Sequence, residues 1–452
     1  MAECIHESEV TVSTERIVRT YMTLIGTYTL AASLIWSVNT LFLLDAGLSI
    51  AEVFVANAAF SVGMVLFEIP TGVVADTLGR RTSYLISVVI LGVTTILYLI
   101  AAELNASITT FVGVSVLMGL GFTFYSGALE AWLVDALQSV DSDRPLDGVF
   151  ARGQQVSGVA MFTGTIAGGF LGQLDLAVPF AARAILLVIV FGIASRLMHD
   201  MGFSRSRLEL RTIGTQMRRQ ASVGVSHGWN ERSLRLLMIS GGVRGVFFGW
   251  AFYAAQPYFL ELLDRDAVWI VGLITAGVSL ATIAGNQLVG IFSKRCAKRT
   301  TMLLWGASAG TLAAITIGFT SSFAVALVAL FTVAASMGVM SPVRQAFLHE
   351  LVDSDSRATV LSFDAMVTAM GGAGGQLGLG RVADASSLST GYIVGGATTG
   401  LALPVLWLLR GRSSSADDIE KADRDAGVDS SCPAGLPSIA GVHPVAVDAA
   451  TS

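Results

Sequence analysis

Two apolar runs without a single charged residue flank a short charged turn, and this arrangement narrows the architectures open to the chain. Residues 53–67 and 84–102 contain no Asp, Glu, Lys or Arg, whereas the turn between them ends in Gly79-Arg80-Arg81. The helices that would contain these runs, residues 51–74 and 82–102, are long enough to cross roughly 30 Å of hydrocarbon. We therefore predict a tight, hydrated turn between two membrane helices.

The composition agrees with an all-α integral membrane protein. Hydrophobic residues make up 53% of the chain and charged residues only 13%, which is typical of proteins that the bilayer solvates. The net charge of -5 gives no support to nucleic acid binding. The three cysteines, Cys4, Cys296 and Cys432, have no metal-ligand spacing, so we predict no disulfide, no metal and no cofactor.

The order of apolar segments predicts twelve spans in two halves. We place a cytoplasmic tail at residues 1–19, six helices at 20–198, a basic cytoplasmic connector at 199–233, six more helices at 234–410 and a disordered cytoplasmic tail at 411–452. In the fourth span, residues 107–137, the apolar sequence is interrupted by Tyr125, Ser126, Glu130 and Asp135.

Basic residues in short loops predict the orientation. With twelve spans, the only basic loop residues on one side of the membrane are Arg265 and Arg381. By the positive-inside rule the other side is the cytoplasm, and both termini lie there. A model with eleven or thirteen spans would place these basic residues on both sides of the membrane. The other side carries Arg16, Arg19, Arg80, Arg81, Arg144, the connector arginines, Lys294, Arg295, Lys298, Arg299, Arg357, Arg410 and Arg412.

The charged turn carries a recognisable pattern. Gly72-x-x-x-Asp76-x-x-Gly79-Arg80-Arg81 resembles the signature loop between helices two and three of the major facilitator superfamily. The resemblance implies two pseudo-symmetric six-helix bundles that move a small solute by alternating access, and no enzymatic activity. We predict a cytoplasmic gate that consists of Glu68, Gly72, Asp76, Gly79, Arg80, Arg81 and Asp135. Proton titration is the alternative role for Glu68.

An internal repeat supports the two-bundle architecture. Gly72 and Gly290, and likewise Asp135 and Asp353, are 218 positions apart, and this alignment places Arg81 opposite Arg299. Parallel six-helix repeats are typical of such transporters. The repeat departs from the signature, because Lys294 stands opposite Asp76 and Ala297 opposite Gly79.

The resemblance implies that spans one, four, seven and ten line a central cavity, and these spans carry the polar residues. A charge at the bilayer centre costs about 2.5 to 3.5 kcal/mol, so it should face water or a partner. We expect Glu130 to pair with Arg344 or Arg244 when the cytoplasmic side closes, although a static salt bridge remains an alternative. Arg152 and Asp364 are a second candidate pair. The predicted substrate and proton pathway comprises Glu130, Arg244, Arg344, Asn39, Gln256, Tyr125, Trp36, Tyr253 and Gln345.

Two further patterns bear on the substrate. Ala160-x-x-x-Gly164-Thr165-x-x-Gly168-Gly169 resembles the fifth-span motif of drug and proton antiporters, and small residues at this spacing also favour close helix packing. Aromatic residues could form a wall for a hydrophobic or cationic solute. These are Tyr28, Trp36, Tyr125, Trp250 and Tyr253.

Together these observations predict a monomeric, proton-coupled exporter of a drug-like or toxic compound in the inner or plasma membrane. Because the sequence lacks a Gly-x4-Gly-Lys phosphate loop, an ion or solute gradient would have to drive transport. Uptake of a nutrient is the alternative direction. A non-transporting membrane sensor on the same fold is the alternative class.

Overall fold

The computed structural model of the chain describes residues 13–140, 144–202, 222, 224–352, 356–412 and 415–419. Most of the predicted N-terminal tail, residues 203–221 of the connector and the tail beyond residue 419 lie outside this part. Asp353, which the sequence repeat placed opposite Asp135, also lies outside it.

Helices account for nearly all of the described residues. In the first half they are α1 (Thr14–Ser33), α2 (Asn39–Asp45), α3 (Ile50–Leu78), α4 (Arg80–Glu103), α5 (Ile108–Ser126), α6 (Ala128–Ser139), α7 (Leu146–Gly172) and α8 (Val178–Leu197). In the second half they are α9 (Arg232–Leu263), α10 (Val268–Ser293), α11 (Arg299–Phe319), α12 (Phe323–Leu351), α13 (Arg357–Ala385), α14 (Leu388–Gly400) and α15 (Ala402–Arg410).

These helices form twelve successive segments, because α1–α2, α5–α6 and α14–α15 are each one segment with a break. Within the described residues, nine segments are long and apolar enough to span a membrane. The other three are the broken segment α1–α2 and the helices α7 and α13, which are rich in glycine and polar residues. The count of twelve membrane spans stays a prediction for these three.

Local chemistry fixes where helices begin and break. Ser49 and Glu52 form a capping box at the start of α3, each side chain accepting the other residue's backbone N–H. Gly127 separates α5 from α6, a helix break that the sequence did not predict in the fourth span. The break between α1 and α2 covers residues 34–38 and contains neither proline nor glycine. The cause of this helix break therefore lies in another part of the chain.

The two halves pack against each other at one end of the molecule. We call the end that holds Leu78, Leu197 and Arg232 the connector end, and the other the far end. Among the described residues, the hydrogen bonds and ring contacts that join the halves lie at the far end. The apolar core is shared there as well, since Val268 and Val271 of α10 belong to the core of the first half. The structure is therefore closed at the far end.

A short piece of the predicted disordered tail is packed against the second half. Ser415–Asp417 forms a single 3-10 turn, and Ala416 and Asp417 are buried. The Ile419 N–H donates to the Ala297 C=O over 3.0 Å. For residues 415–419 the sequence prediction of disorder is thus wrong, because buried hydrogen bonds hold them in place.

Candidate functional site

The far-end interface depends on two glycines that let α7 and α10 touch. A Cβ at Gly169 would lie 2.8 Å from the Gly272 Cα, and one at Gly272 would lie 2.8 Å from the Thr165 C=O. No side chain fits in that space, so the backbones themselves form the contact. The small residues of span five therefore pack helices, as the packing interpretation of that motif predicts.

Gln256 bridges the break in the first span from the opposite half. Its Oε1 accepts the Thr40 N–H over 2.8 Å, and its Nε2 donates to the Trp36 C=O over 2.9 Å. Residues 36 and 40 are four apart, so these two groups would bond to each other in a continuous α-helix. The Gln256 carboxamide therefore lies between the Trp36 C=O and the Thr40 N–H and replaces their backbone hydrogen bond. The first turn of α2 has no side-chain cap of its own. Gln256 is 1% exposed.

Three other predicted pathway residues lie close to this bridge. Trp36 supplies the carbonyl, and Asn39 starts α2 and donates from Nδ2 to the Asn57 Oδ1 over 3.0 Å. Tyr253 lies one turn before Gln256 on α9 and is partly buried. The structure thus brings these residues together, but Gln256 here joins the halves and does not face an open path.

A buried ion pair occupies the connector-end half of the second bundle. Both guanidinium NH groups of Arg344 donate to the Asp364 carboxylate, the Nη1–Oδ2 distance being 2.8 Å, and Arg344 also reaches the Leu237 C=O at 3.3 Å. The two side chains are 13% and 8% exposed. In this conformation Asp364 therefore pairs with Arg344, and not with Arg152 as the sequence suggested.

Arg244 is a second cation close to this pair. It lies within electrostatic reach of Arg344, and its guanidinium carbon is 5.8 Å from the centre of the Phe248 ring. Its side chain forms no hydrogen bond or ion pair with any residue that the structure describes. A partly buried cation without a carboxylate partner among the described residues attracts anionic ligands.

Glu130 is a half-buried carboxylate on α6, close to Tyr21. It forms no ion pair with Arg244 or Arg344 in this structure. Because the pairing was expected when the connector end closes, and the structure is closed at the far end, the expectation stays a prediction for the other conformation.

The aromatic wall is smaller than the sequence predicted. Trp250 is fully buried against Tyr392, and Tyr28 is buried in a stack with Tyr125. Packing inside the bundles removes these faces from any ligand. Gln345 lines a cleft of about 300 Å³ within the second half, beside Val289, Pro342 and His349, and its place in the pathway stays a prediction.

The predicted gate residues form contacts within the first half. Arg80 pairs with Asp76 at 2.7 Å and approaches Asp135 at 3.5 Å. Arg81 donates its backbone N–H to Asp200 Oδ1 over 2.8 Å and its guanidinium to the Ser195 C=O. These contacts hold the start of α4 and do not cross to the second half.

Three residues complete the gate loop. Gly79 has φ = 102° and lies against the Asp200 carboxylate, so a side chain there would be strained. A Cβ at Gly72 would meet no described atom within 4 Å, so no described helix packs closely against Gly72 in this conformation. Glu68 is exposed. Whether these residues gate transport stays a prediction.

The second half repeats this loop with different residues. Arg299, the first residue of α11, forms a bidentate pair with Glu350, and the Thr300 N–H donates to Asp417 Oδ1 over 2.7 Å. Arg80 is likewise the first residue of α4. When the two helix starts are aligned, Arg299 therefore corresponds to Arg80. The sequence repeat had aligned Arg299 with Arg81, one position later.

The Asp417 cap gives a testable prediction. Asp417→Ala should lower the free energy of unfolding by about 1 kcal/mol, as loss of a helix cap does, and should speed amide hydrogen exchange at Thr300. Asp418→Ala is the matched control, because the Asp418 side chain makes no hydrogen bond within the described residues. Equal losses in the two variants would contradict a specific cap.

Arg183 is a further buried cation, and it is not among the residues predicted for the pathway. This arginine on α8 is 5% exposed beside Tyr28 and Tyr98, and its Nε has no hydrogen-bond partner. The guanidinium forms no ion pair with any described residue. A single arginine inside the apolar run of residues 178–195 was the available signal.

Comparison with solved structures supports the fold. The chain matches the nucleoside transporter NupG with a TM-score of 0.73 at 12% identity, over 87% of this chain and 98% of that one. It matches the POT family transporter PepTSo with a TM-score of 0.65 at 12% identity, over 88% and 98%. The human organic anion transporter MFSD10 gives 0.58 at 16% identity, over 87% and 100%.

At such identities these likenesses show the fold alone. Comparison with curated proteins gave no match. The family model described as Major Facilitator Superfamily matches residues 22–264 and 245–442, and the structural neighbours are transporters, not enzymes. This chain therefore belongs to the Major Facilitator Superfamily.

Proposed function

We propose that the chain is a secondary transporter that moves a small organic anion across the membrane by alternating access, coupled to protons. The observation that carries the proposal is the one-sided contact between the halves. Gln256 closes the far end by replacing a backbone hydrogen bond of the first span. Because the Trp36 C=O and the Thr40 N–H can bond to each other once Gln256 withdraws, both states of the far end keep their backbone groups paired.

The charges favour an anionic solute. Arg244 and Arg183 lie in membrane-spanning helices and lack carboxylate partners among the described residues. Leaving a cation unpaired at membrane depth is costly, so a ligand that neutralises it gains free energy on binding. The same charges repel a cationic solute, which removes support for the cationic class that the aromatic residues suggested.

Glu130 is the proposed proton carrier. It is the kind of group that proton coupling requires, namely a half-buried carboxylate in a membrane helix that forms no ion pair with a described arginine. Proton binding would remove its charge and so alter its interaction with Arg244 or Arg344. Export remains our proposed direction, on the resemblance of the span-five motif, and uptake remains the alternative.

The test is transport in everted membrane vesicles with an imposed proton gradient. We expect gradient-dependent accumulation of a hydrophobic carboxylate dye and no accumulation of a matched cationic dye. Arg244→Gln should raise the KM for the anion about tenfold, the loss of one charge-assisted contact. Glu130→Gln should abolish gradient-driven accumulation while downhill equilibration of the dye continues.

Arg265→Gln is the control, because Arg265 follows α9 in an exposed far-end turn and its side chain forms no hydrogen bond or ion pair with a described residue. Accumulation of the cationic dye would contradict the substrate class. Unaltered coupling in Glu130→Gln would contradict the proton carrier. Accumulation in right-side-out vesicles alone would favour uptake over export.

A further inference from the structure

A strongly basic cavity lies at the connector end of the second half, outside the proposed transport pathway. Its volume is about 710 Å³, and the starts of α9 and α11 and the end of α15 surround it. The lining contains five basic residues and no acidic residue: Arg232, Arg235, Lys298, Arg410 and Arg412, together with Leu236, Trp407, Leu408 and Gly411.

The five cations of this basic cavity have no carboxylate partner within the described residues. Two neighbouring acids are engaged elsewhere, since Glu231 accepts the Leu234 N–H and Asp417 accepts from Thr300. A third, Asp418, lies opposite Lys298 in an isolated backbone bridge, and its carboxylate forms no ion pair with a described residue. Arg299, next to Lys298 in the chain, is in contrast paired with Glu350. The basic cavity therefore concentrates positive charge that no ion pair among the described residues neutralises.

Two apolar residues that line the basic cavity, Trp407 and Leu408, are exposed on the outer surface of the protein. Trp407 is 67% exposed and Leu408 is 54% exposed, on a helix of a membrane protein. Leu401 and Val394 continue the same exposed face at spacings of seven residues, which is two helical turns. A tryptophan between a basic rim and an apolar stripe is typical of the membrane–water interface.

We propose that the basic cavity binds an anionic phospholipid, with the phosphate among Arg235, Lys298 and Arg410 and an acyl chain along Leu408 and Leu401. A soluble anion would satisfy the cations but would leave the apolar stripe unused. Basic pockets at the ends of membrane helices bind such headgroups by charge. This site is separate from Arg244, so the lipid-binding proposal does not depend on whether the transported solute is an anion.

Thermal unfolding of the purified full chain in neutral detergent tests this assignment. Dioctanoyl phosphatidylglycerol should raise the unfolding midpoint, whereas dioctanoyl phosphatidylcholine and inorganic phosphate at equal concentration should not. The triple variant R235Q/K298Q/R410Q should need at least about tenfold more phosphatidylglycerol for half of the shift. The matched control R16Q/R19Q/R196Q removes the same charge outside the basic cavity and should behave as the unaltered chain does.

Three results would overturn the proposal. An equal shift with phosphatidylcholine would indicate a general lipid effect, and an equal shift with inorganic phosphate would indicate a soluble-anion site. A phosphatidylglycerol shift that appears only after deletion of residues 420–452 would mean that the acidic tail, with Glu420, Asp423 and Asp425, occupies the cavity of the full chain.

Discussion

Replacing Gln256 by leucine is expected to raise the population open at the far end about thirtyfold. Leucine keeps the volume of the side chain but bonds neither the Thr40 N–H nor the Trp36 C=O. Two lost hydrogen bonds amount to about 2 kcal/mol in the closed state, and 1.4 kcal/mol is a factor of ten in population. The open state loses nothing, because the first span can then restore its own hydrogen bond.

A single cysteine at position 268 can report this opening. Val268 is 6% exposed and lies against Gly172 at the far-end contact. In a background with the three native cysteines replaced by serine, Val268→Cys should react slowly with a membrane-impermeant maleimide. Gln256→Leu should accelerate that labelling by about the same thirtyfold.

Gln376→Leu is the matched control. Gln376 is also a buried glutamine whose Nε2 donates to a backbone carbonyl, that of Gly249, but both residues belong to the second half. This variant should lose stability without faster labelling. Unchanged labelling in Gln256→Leu, or equal acceleration in the control, would show that the bridge does not hold the far end closed.

Breaking the Arg344–Asp364 pair is expected to cause the largest loss of stability, about 3 to 5 kcal/mol. Asp364→Ala leaves a guanidinium buried in the second bundle, where the Leu237 C=O is its one remaining hydrogen-bond partner among the described residues. Arg344→Gln leaves a carboxylate that is 8% exposed. Because an unpaired charge is costlier than no charge, the double variant Arg344→Met/Asp364→Leu should recover most of the loss.

The measurement is the free energy of unfolding in detergent for both single variants and the double variant. Glu350→Gln serves as the comparison, because it breaks an ion pair whose carboxylate is 37% exposed. Solvent weakens such a pair, and its loss should cost about 1 kcal/mol or less. Additive losses in the double variant would contradict a coupled buried pair.

The sequence alone predicted the order of helices, the charged turn after the second span and the two-half repeat. These features depend on local patterns, since a membrane helix pairs its own backbone groups and its length follows from the apolar run. The signature from Gly72 to Arg81 was sufficient to predict the family, which the comparison confirmed.

Which side chains meet was decided only by the tertiary structure. Asp364 is bound by Arg344 instead of Arg152, Asp200 and Asp417 cap helices far from them in sequence, and Gln256 enters a helix of the other half. A hydrogen bond needs its two atoms within about 3 Å of each other, and that depends on the rotation and register of neighbouring helices. Those two quantities follow from packing across the whole molecule, which no local stretch of sequence contains.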